Sequence, residues 1–128
     1  MNAKTVVTSM LAAVLLGAFA STHADAANIE VKCEKRANRS KISVDGRNLV
    51  PGRLYRCRAQ SGQNVRTTTL RSAVGDELAC DFDSNLADIG TGATPITAKF
   101  IVSRQVTGKI LNRLGRTVIS DTSVCRVR

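Results

Sequence analysis

The four cysteines of this 128-residue chain lie in segments where apolar and polar residues alternate, and they constrain its fold more than any other feature. They are Cys33, Cys57, Cys80 and Cys125, and each has an apolar residue two positions away. Side chains of a β-strand alternate between its two faces, so this spacing places each cysteine on a face that points into a core. We therefore predict two structural disulfides. No C-x-x-C spacing typical of zinc modules occurs.

Four cysteines allow three pairings. The pairing that we favour joins Cys33 to Cys125, which ties the first strand to the last, and nests Cys57–Cys80 inside it. The sequential pairing of Cys33 with Cys57 and of Cys80 with Cys125 is a close alternative. In either arrangement each disulfide stabilises the fold by about 2–4 kcal/mol.

Alternation extends beyond the cysteines and predicts seven to nine short strands. The predicted strands are 29–34, 41–44, 54–59, 65–70, 77–82, 96–102, 106–111, 116–119 and 124–128. We predict a tight turn at Asp45-Gly46 and a long loop at 83–95, with one short helical turn near 84–89. This pattern is typical of a small disulfide-stapled β-sandwich of immunoglobulin-like character, with a small β-barrel as the second choice.

Residues 1–26 have the three-part arrangement of a secretory signal peptide. Lys4 precedes an apolar run over 6–20, and Ala24-Asp25-Ala26 is a small-x-small cleavage site. The apolar run is shorter than the roughly 20 residues that span a bilayer. The sequence therefore predicts a single exported domain over 27–128, in the periplasm or secreted, where disulfides persist.

The scarcity of histidine and tryptophan excludes several classes of catalytic and cofactor site. Its one histidine, His23, lies in the predicted signal peptide, and it has no tryptophan. The exported part therefore has no Ser-His-Asp or Cys-His arrangement and no histidine ligand for zinc, copper or haem. Asp81 and Asp83 are about 7 Å apart on one strand face, as in some glycosidases. We expect both at an exposed loop edge, which does not favour a general acid, and predict a non-catalytic protein without a cofactor.

The chain is strongly basic, with 19 lysines and arginines against 10 acidic residues and a formal net charge of +9. After residue 26 arginine outnumbers lysine 13 to 5. The planar guanidinium binds phosphate, sulfate and carboxylate groups with two parallel hydrogen bonds. Alternation directs Arg56 and Arg58 away from the face that holds Cys57, and Arg126 away from the face that holds Cys125. The predicted anion-binding residues are Arg53, Arg56, Arg58, Arg126 and Arg128.

The predicted partner is an anionic polymer: an envelope polymer, an acidic polysaccharide, or nucleic acid bound through its backbone. Sequence-specific nucleic-acid binding is not expected, because the chain has neither a recognition helix nor an exposed aromatic pair. The alternative is a module that binds one protein, such as an inhibitor, an adhesin-like domain or an envelope-assembly subunit. Salt distinguishes the two, because it weakens polyanion binding far more than an apolar protein interface.

An acidic stretch supplies the candidate metal site. The candidate calcium ligands are Asp81, Asp83, Asn85 and Asp88, spaced as D-x-D-x-N-x-x-D. Calcium binds six to eight oxygen atoms, and alternate residues of a loop direct their side chains to a common centre. The stretch departs from an EF-hand loop, which requires glycine where Leu86 stands and glutamate where Gly92 stands. The competing interpretation is a polar loop whose acids offset nearby arginines.

Overall fold

The computed structural model describes residues 26–128, which form two β-sheets packed face to face. The predicted signal peptide lies, apart from Ala26, outside the described residues. The strands found within them are β1 (Asn28–Arg36), β2 (Arg39–Arg47), β3 (Leu54–Ser61), β4 (Asn64–Thr67), β5 (Arg71–Ser72), β6 (Leu78–Asp83), β7 (Thr94–Pro95), β8 (Gln105–Asn112), β9 (Thr117–Val124) and β10 (Arg126–Val127). A short helix, α1 (Leu86–Gly90), follows β6, and no helix in 26–128 is long and apolar enough to cross a membrane.

The strands divide into two sheets that we call sheet A and sheet B. Sheet A has the order β10-β1-β2-β6-β7, and sheet B has the order β4-β3-β8-β9 with β5 paired to β3. Most neighbouring strands are antiparallel, but the β1–β10 and β6–β7 pairs are parallel. Two sheets that enclose one core confirm the predicted disulfide-stapled β-sandwich. Its immunoglobulin-like character stays a prediction.

The inward-facing side chains of the alternating strands fill the space between the two sheets. In β2 the inward Ile42 and Val44 are fully buried, and they pack with Phe82 of β6 and Ile110 of β8 in one core. Burying an aliphatic or aromatic side chain of this size contributes about 1.5–3 kcal/mol. The intervening residues of the same strands point the other way and form two mostly polar outer faces, with the buried Leu111 as an exception in β8.

The turn predicted at Asp45-Gly46 is wrong, because β2 continues through both residues. Gly46 is required for packing, since the side chain of Ile110 occupies the space that a Cβ at Gly46 would need. Gly108 of β8 lies close to the facing sheet A in the same way: a Cβ at Gly108 would be 2.6 Å from Cγ2 of Val31. The two glycines allow the sheets to approach each other closely.

Both disulfides connect the sheets. Cys57 of β3 pairs with Cys80 of β6, with their Cα atoms 6.3 Å apart. Cys33 of β1 pairs with Cys125, which is the residue between β9 of sheet B and β10 of sheet A. This is the nested pairing that the sequence favours. The end of the chain therefore passes from sheet B to sheet A at Cys125, and β10 lies along β1.

The strand predicted at 96–102 is wrong, because this segment is a loop. Phe100 and Ile101 are buried in the core, which explains the strand-like pattern. After Ile96, whose N–H still bonds to the carbonyl of Asp83, side chains supply partners for the loop backbone: the fully buried Ser40 hydroxyl donates to the carbonyl of Ala98 and accepts from the N–H of Ile101. Such bonds satisfy buried backbone groups without a strand partner.

Candidate anion-binding face

The outer face of sheet B brings three cations together on its two central strands. Tyr55 and Cys57 of β3 are buried in the core, so Arg56 and Arg58 point outward. Arg58 lies directly opposite Lys109 of β8. Residues in such cross-strand positions have Cβ atoms about 5 Å apart. We call Arg56, Arg58 and Lys109 the basic cluster.

The outward-facing strand residues around the basic cluster are uncharged: Leu111, opposite Arg56, is apolar and buried, and most of the others carry hydroxyl groups. On the outer face of sheet B these groups belong to Thr67, Thr107, Ser120 and Thr122. The hydroxyls of Thr107 and Thr122 are 2.8 Å apart and hydrogen-bonded. Asp121 is the one carboxylate in the strands of sheet B; it is paired with Gly108, which faces sheet A, so it does not belong to the outer face. The basic cluster therefore has no carboxylate beside it on its own sheet face.

The two outer faces of the sandwich differ in how their charges are paired. The salt bridges of residues 26–128 all lie on or beside sheet A: Lys32–Glu30, Arg36–Glu34, Arg128–Glu34, Arg39–Asp83 and Arg39–Asp88. No residue of the basic cluster forms a salt bridge within this part of the chain. Exposed ion pairs add little stability, but they cancel each other's field. The field of the basic cluster is not cancelled in this way.

A hydrogen bond to the neighbouring segment holds each arginine of the basic cluster. Arg56 donates from Nη1 to the carbonyl of Thr68 at 3.0 Å, and Arg58 donates from Nε to the hydroxyl of Thr67 at 3.2 Å. A guanidinium carries five N–H donors. Each arginine therefore keeps donors for a bidentate contact with a phosphate, sulfate or carboxylate.

The five arginines predicted to bind anions do not lie on one surface. Arg126 and Arg128 lie along β1 of sheet A, where Nε of Arg128 is 3.2 Å from a carboxylate oxygen of Glu34. Contacts with Arg36, followed by the charges of Arg128 and Arg126, hold the pKa of Glu34 below its usual value despite an opposing effect of desolvation. Arg128 is thus part of the paired charge of sheet A and Arg126 lies near the same carboxylate, because the chain changes sheets at Cys125.

Arg53, the fifth predicted arginine, belongs neither to the basic cluster nor to sheet A. Arg53 is exposed just before β3 and lines a groove together with Arg113, beside the start of the face that carries the basic cluster.

Lys109 is the cluster residue that sequence reasoning missed. Alternation within β8 directs its side chain outward, but only the pairing of β3 with β8 shows that it lies beside Arg58.

The described aromatic side chains are all buried, so none is available for stacking. Tyr55, Phe82 and Phe100 are at most 6% exposed, and the Tyr55 hydroxyl accepts a hydrogen bond from the N–H of Val50. Bases of single-stranded nucleic acids bind largely by stacking on exposed aromatic rings. The outer face of sheet B therefore offers charge and hydrogen bonds rather than stacking.

The acidic stretch forms an internal ion-pair network. Asp83 is 2% exposed and accepts hydrogen bonds from Arg39 at 3.0 and 2.7 Å, while the same guanidinium contacts Asp88 at 2.6 Å. Burial raises the pKa of Asp83, but the hydrogen bonds from Arg39 and from the N–H of Asn85 outweigh it and hold this pKa below its usual value. The expected exposure of Asp83 is wrong, and a lowered pKa is the opposite of what a general acid requires.

The other two candidate calcium ligands also have partners within the protein. Asn85 caps α1, because its side-chain oxygen accepts from the N–H groups of Ala87 and Asp88. Asp81 accepts from the hydroxyl of Ser43 at 3.0 Å. Across residues 26–128, no group of three or more acidic, histidine or cysteine side chains is placed to hold a metal ion. Asp81, Asp83 and Asp88 line one depression, but each of the four side chains already has a partner within the protein, and calcium binding stays a prediction.

Comparison with known proteins gives no match. No protein-family model matches the chain. Neither a curated protein nor a solved structure matches it. Its function is therefore inferred from its own residues.

Proposed function

We propose that this protein is a non-catalytic exported module, periplasmic or secreted, that binds anionic polymers through the outer face of sheet B. The basic cluster is the observation that supports the proposal. Arg56, Arg58 and Lys109 lie together, form no salt bridge within residues 26–128, and have no carboxylate beside them on that face. A surface of this kind attracts and holds negatively charged groups.

The spacing of the basic cluster suits a polymer that carries repeated charges. Arg56 and Arg58 are about 7 Å apart along β3, and Lys109 extends the cluster sideways onto β8. Each anionic group that a cation neutralises releases a counterion, so binding weakens as salt rises. Three such contacts on duplex DNA reduce affinity about 40-fold between 50 and 200 mM salt. The contacts read charge rather than sequence.

Binding of the oxidised protein to heparin, duplex DNA and lipopolysaccharide across a salt series tests the proposal. The informative variant is Arg58→Gln/Lys109→Gln, and its matched control is Lys41→Gln/Arg126→Gln, which removes the same charge from the outer face of sheet A. We expect the first pair to weaken binding at least about tenfold and to lower the salt slope by about 2. The control pair should stay within about threefold of the unmodified protein.

Equal losses in the two variants would show that binding follows net charge and not the basic cluster. No binding at low salt would exclude a polyanion ligand. Binding to one protein that is insensitive to salt and to both variants would support the protein-partner alternative.

A further inference from the structure

A groove of about 440 Å³ lies at one end of the outer face of sheet B. The polar side chains that line it belong to Gln60, Ser103, Gln105, Thr107 and Lys109. Lys109 is also part of the basic cluster, and Gln60 follows Arg58 on the same face of β3. The groove and the basic cluster therefore form one continuous surface.

The groove differs from the basic cluster because its lining is neutral apart from Lys109. Amide and hydroxyl side chains both donate and accept hydrogen bonds. Gln60 donates from Nε2 to the carbonyl of Gly62 at 3.3 Å, and its amide oxygen has no partner among the described residues. The Gln105 side chain is exposed and likewise has no hydrogen-bond partner in that part of the chain. The two amide oxygens are therefore available to accept hydrogen bonds from a ligand.

Ionised phosphodiester and sulfate groups only accept hydrogen bonds, so they leave those amide oxygens unmatched. The hydroxyl groups of a sugar both donate and accept, as the amides do. Lys109 at the edge of the groove supplies a positive charge for one acidic group of the same ligand. This combination of groups fits a hydroxylated ring that carries a negative charge.

Tight backbone packing holds the wall of the groove in place. The hydroxyl of Ser61, which is 1% exposed, accepts from the N–H of Val102 and lies 2.8 Å from the carbonyl of Gln105. Gly62 has a φ of +57°, and a Cβ there would lie 2.5 Å from Cγ2 of Val102. A groove that is fixed before binding loses less entropy when its ligand binds.

Two neighbouring residues of this wall have left-handed backbones. Ser103 and Arg104 have φ values of 57° and 54°, although neither is glycine. Such conformations cost free energy and persist where the surrounding structure imposes them, often at binding sites. The turn, closed by the bond from the N–H of Gln105 to the carbonyl of Val102, therefore sets the position of Gln105 at the groove.

We infer that the groove binds an acidic sugar unit, with the acid group on Lys109 and hydroxyl groups on Gln60 and Gln105, so that the ligand class is an acidic polysaccharide. The inference rests on the proposed function, because the groove is one end of the same face. It adds a source of selectivity that charge does not provide.

Calorimetric titration with oligogalacturonate and with inorganic polyphosphate of equal total charge tests the inference. Gln60→Ala/Gln105→Ala leaves the net charge unchanged, and both side chains lie at the surface, so the fold should be kept and thermal melting checks this. We expect this variant to bind oligogalacturonate about tenfold more weakly and polyphosphate within about twofold of the unmodified protein. Gln105→Ala alone removes a side chain without internal bonds and should weaken oligogalacturonate binding about threefold.

The other possible outcomes distinguish failure of the sugar site from failure of the proposed function. Equal effects on both ligands, or no effect on either, would overturn the sugar site. Binding of polyphosphate without oligogalacturonate would overturn it too and leave the proposed function standing. If Lys109→Gln changes neither affinity, or the unmodified protein binds neither ligand, the proposed function itself fails and the sugar site fails with it.

Discussion

The guanidinium of Arg39 holds the buried carboxylate of Asp83 through two hydrogen bonds, of 3.0 and 2.7 Å. Arg39 begins β2 and Asp83 ends β6, so the pair links the ends of these neighbouring strands close to the start of α1. A third contact, from Arg39 to Asp88, joins α1 to the same guanidinium. The acidic stretch is thus a structural part of the sandwich.

Asp83→Asn should destabilise the protein by about 3 kcal/mol, because it removes the buried carboxylate that accepts two hydrogen bonds from Arg39 and leaves only the more exposed Asp88 to pair with that guanidinium. Urea unfolding measures this loss. Asp81→Asn is the matched control: Asp81 lies on the same strand but is exposed, so its replacement should change stability by less than about 0.5 kcal/mol. Similar losses in the two variants would contradict the structural role of the Asp83 pair.

Two carboxyl groups of sheet A should give opposite contributions to the pH dependence of stability. The pKa of Asp83 is lowered, so the unfolded chain takes up its proton first and stability is lost as the pH falls below about 4. Burial, followed by the charges of Asp81 and Glu30, raises the pKa of Asp45. The folded protein therefore takes up that proton first, and Asp45 reduces stability at neutral pH.

Urea unfolding between about pH 3 and pH 7 checks both signs. Asp83→Asn should flatten the loss of stability in acid, whereas Asp45→Asn should stabilise the protein at pH 7 and have little effect in acid. An unchanged acid profile for Asp83→Asn would contradict the assignment.

The two disulfides close chain segments of different length, so removing one or the other should cost different amounts of stability. Cys33–Cys125 spans 92 residues and Cys57–Cys80 spans 23. The loss of either pair as a double alanine variant should cost about 2–5 kcal/mol, and chain entropy makes the longer link worth about 1 kcal/mol more. Denaturant unfolding of the two variants gives the comparison. A larger loss for Cys57→Ala/Cys80→Ala would mean that core packing outweighs chain entropy at this site.

Because the two sheets lie close together at Gly108, one added methyl group there should lower the stability of the protein. Gly108→Ala places a Cβ 2.6 Å from Val31 and 3.0 Å from Val44, so the variant should lose about 1–3 kcal/mol. Gly90→Ala is the control, because a Cβ there meets no atom within 4 Å and alanine favours the helix. The thermal unfolding midpoint should fall for the first variant and hold or rise for the second. A midpoint for Gly108→Ala as high as that of the unmodified protein would contradict the packing described for Gly108.

Local pattern was enough to predict the features that depend on one strand at a time. Alternation around Cys57 correctly places Arg56 and Arg58 on an outer face, because the direction of a side chain in a strand depends only on its parity. The same rule predicts the two-sheet architecture, since a strand with one apolar face must pack against another layer.

Features that depend on pairing between distant segments could not be predicted in this way. Lys109 joins Arg58 only through the β3–β8 register, which is set over about 50 residues of intervening chain. Arg126 is separated from the basic cluster because the chain changes sheets at Cys125. The glycine of Asp45-Gly46 signals a turn locally, yet its cause is Ile110 in the opposite sheet. The partners of Asp83 depend on tertiary contacts in the same way.

The link between Cys33 and Cys125 also determines how this protein responds to a pulling force. Tension applied to the two ends of the described chain passes from residue 33 through the sulfur atoms to residue 125, and bypasses almost the whole sandwich. Before that bond is reduced, only the short segments outside it can be drawn out. The outer face of sheet B lies within the bypassed region, so it should keep its shape under loads that would unravel a sandwich without this bond.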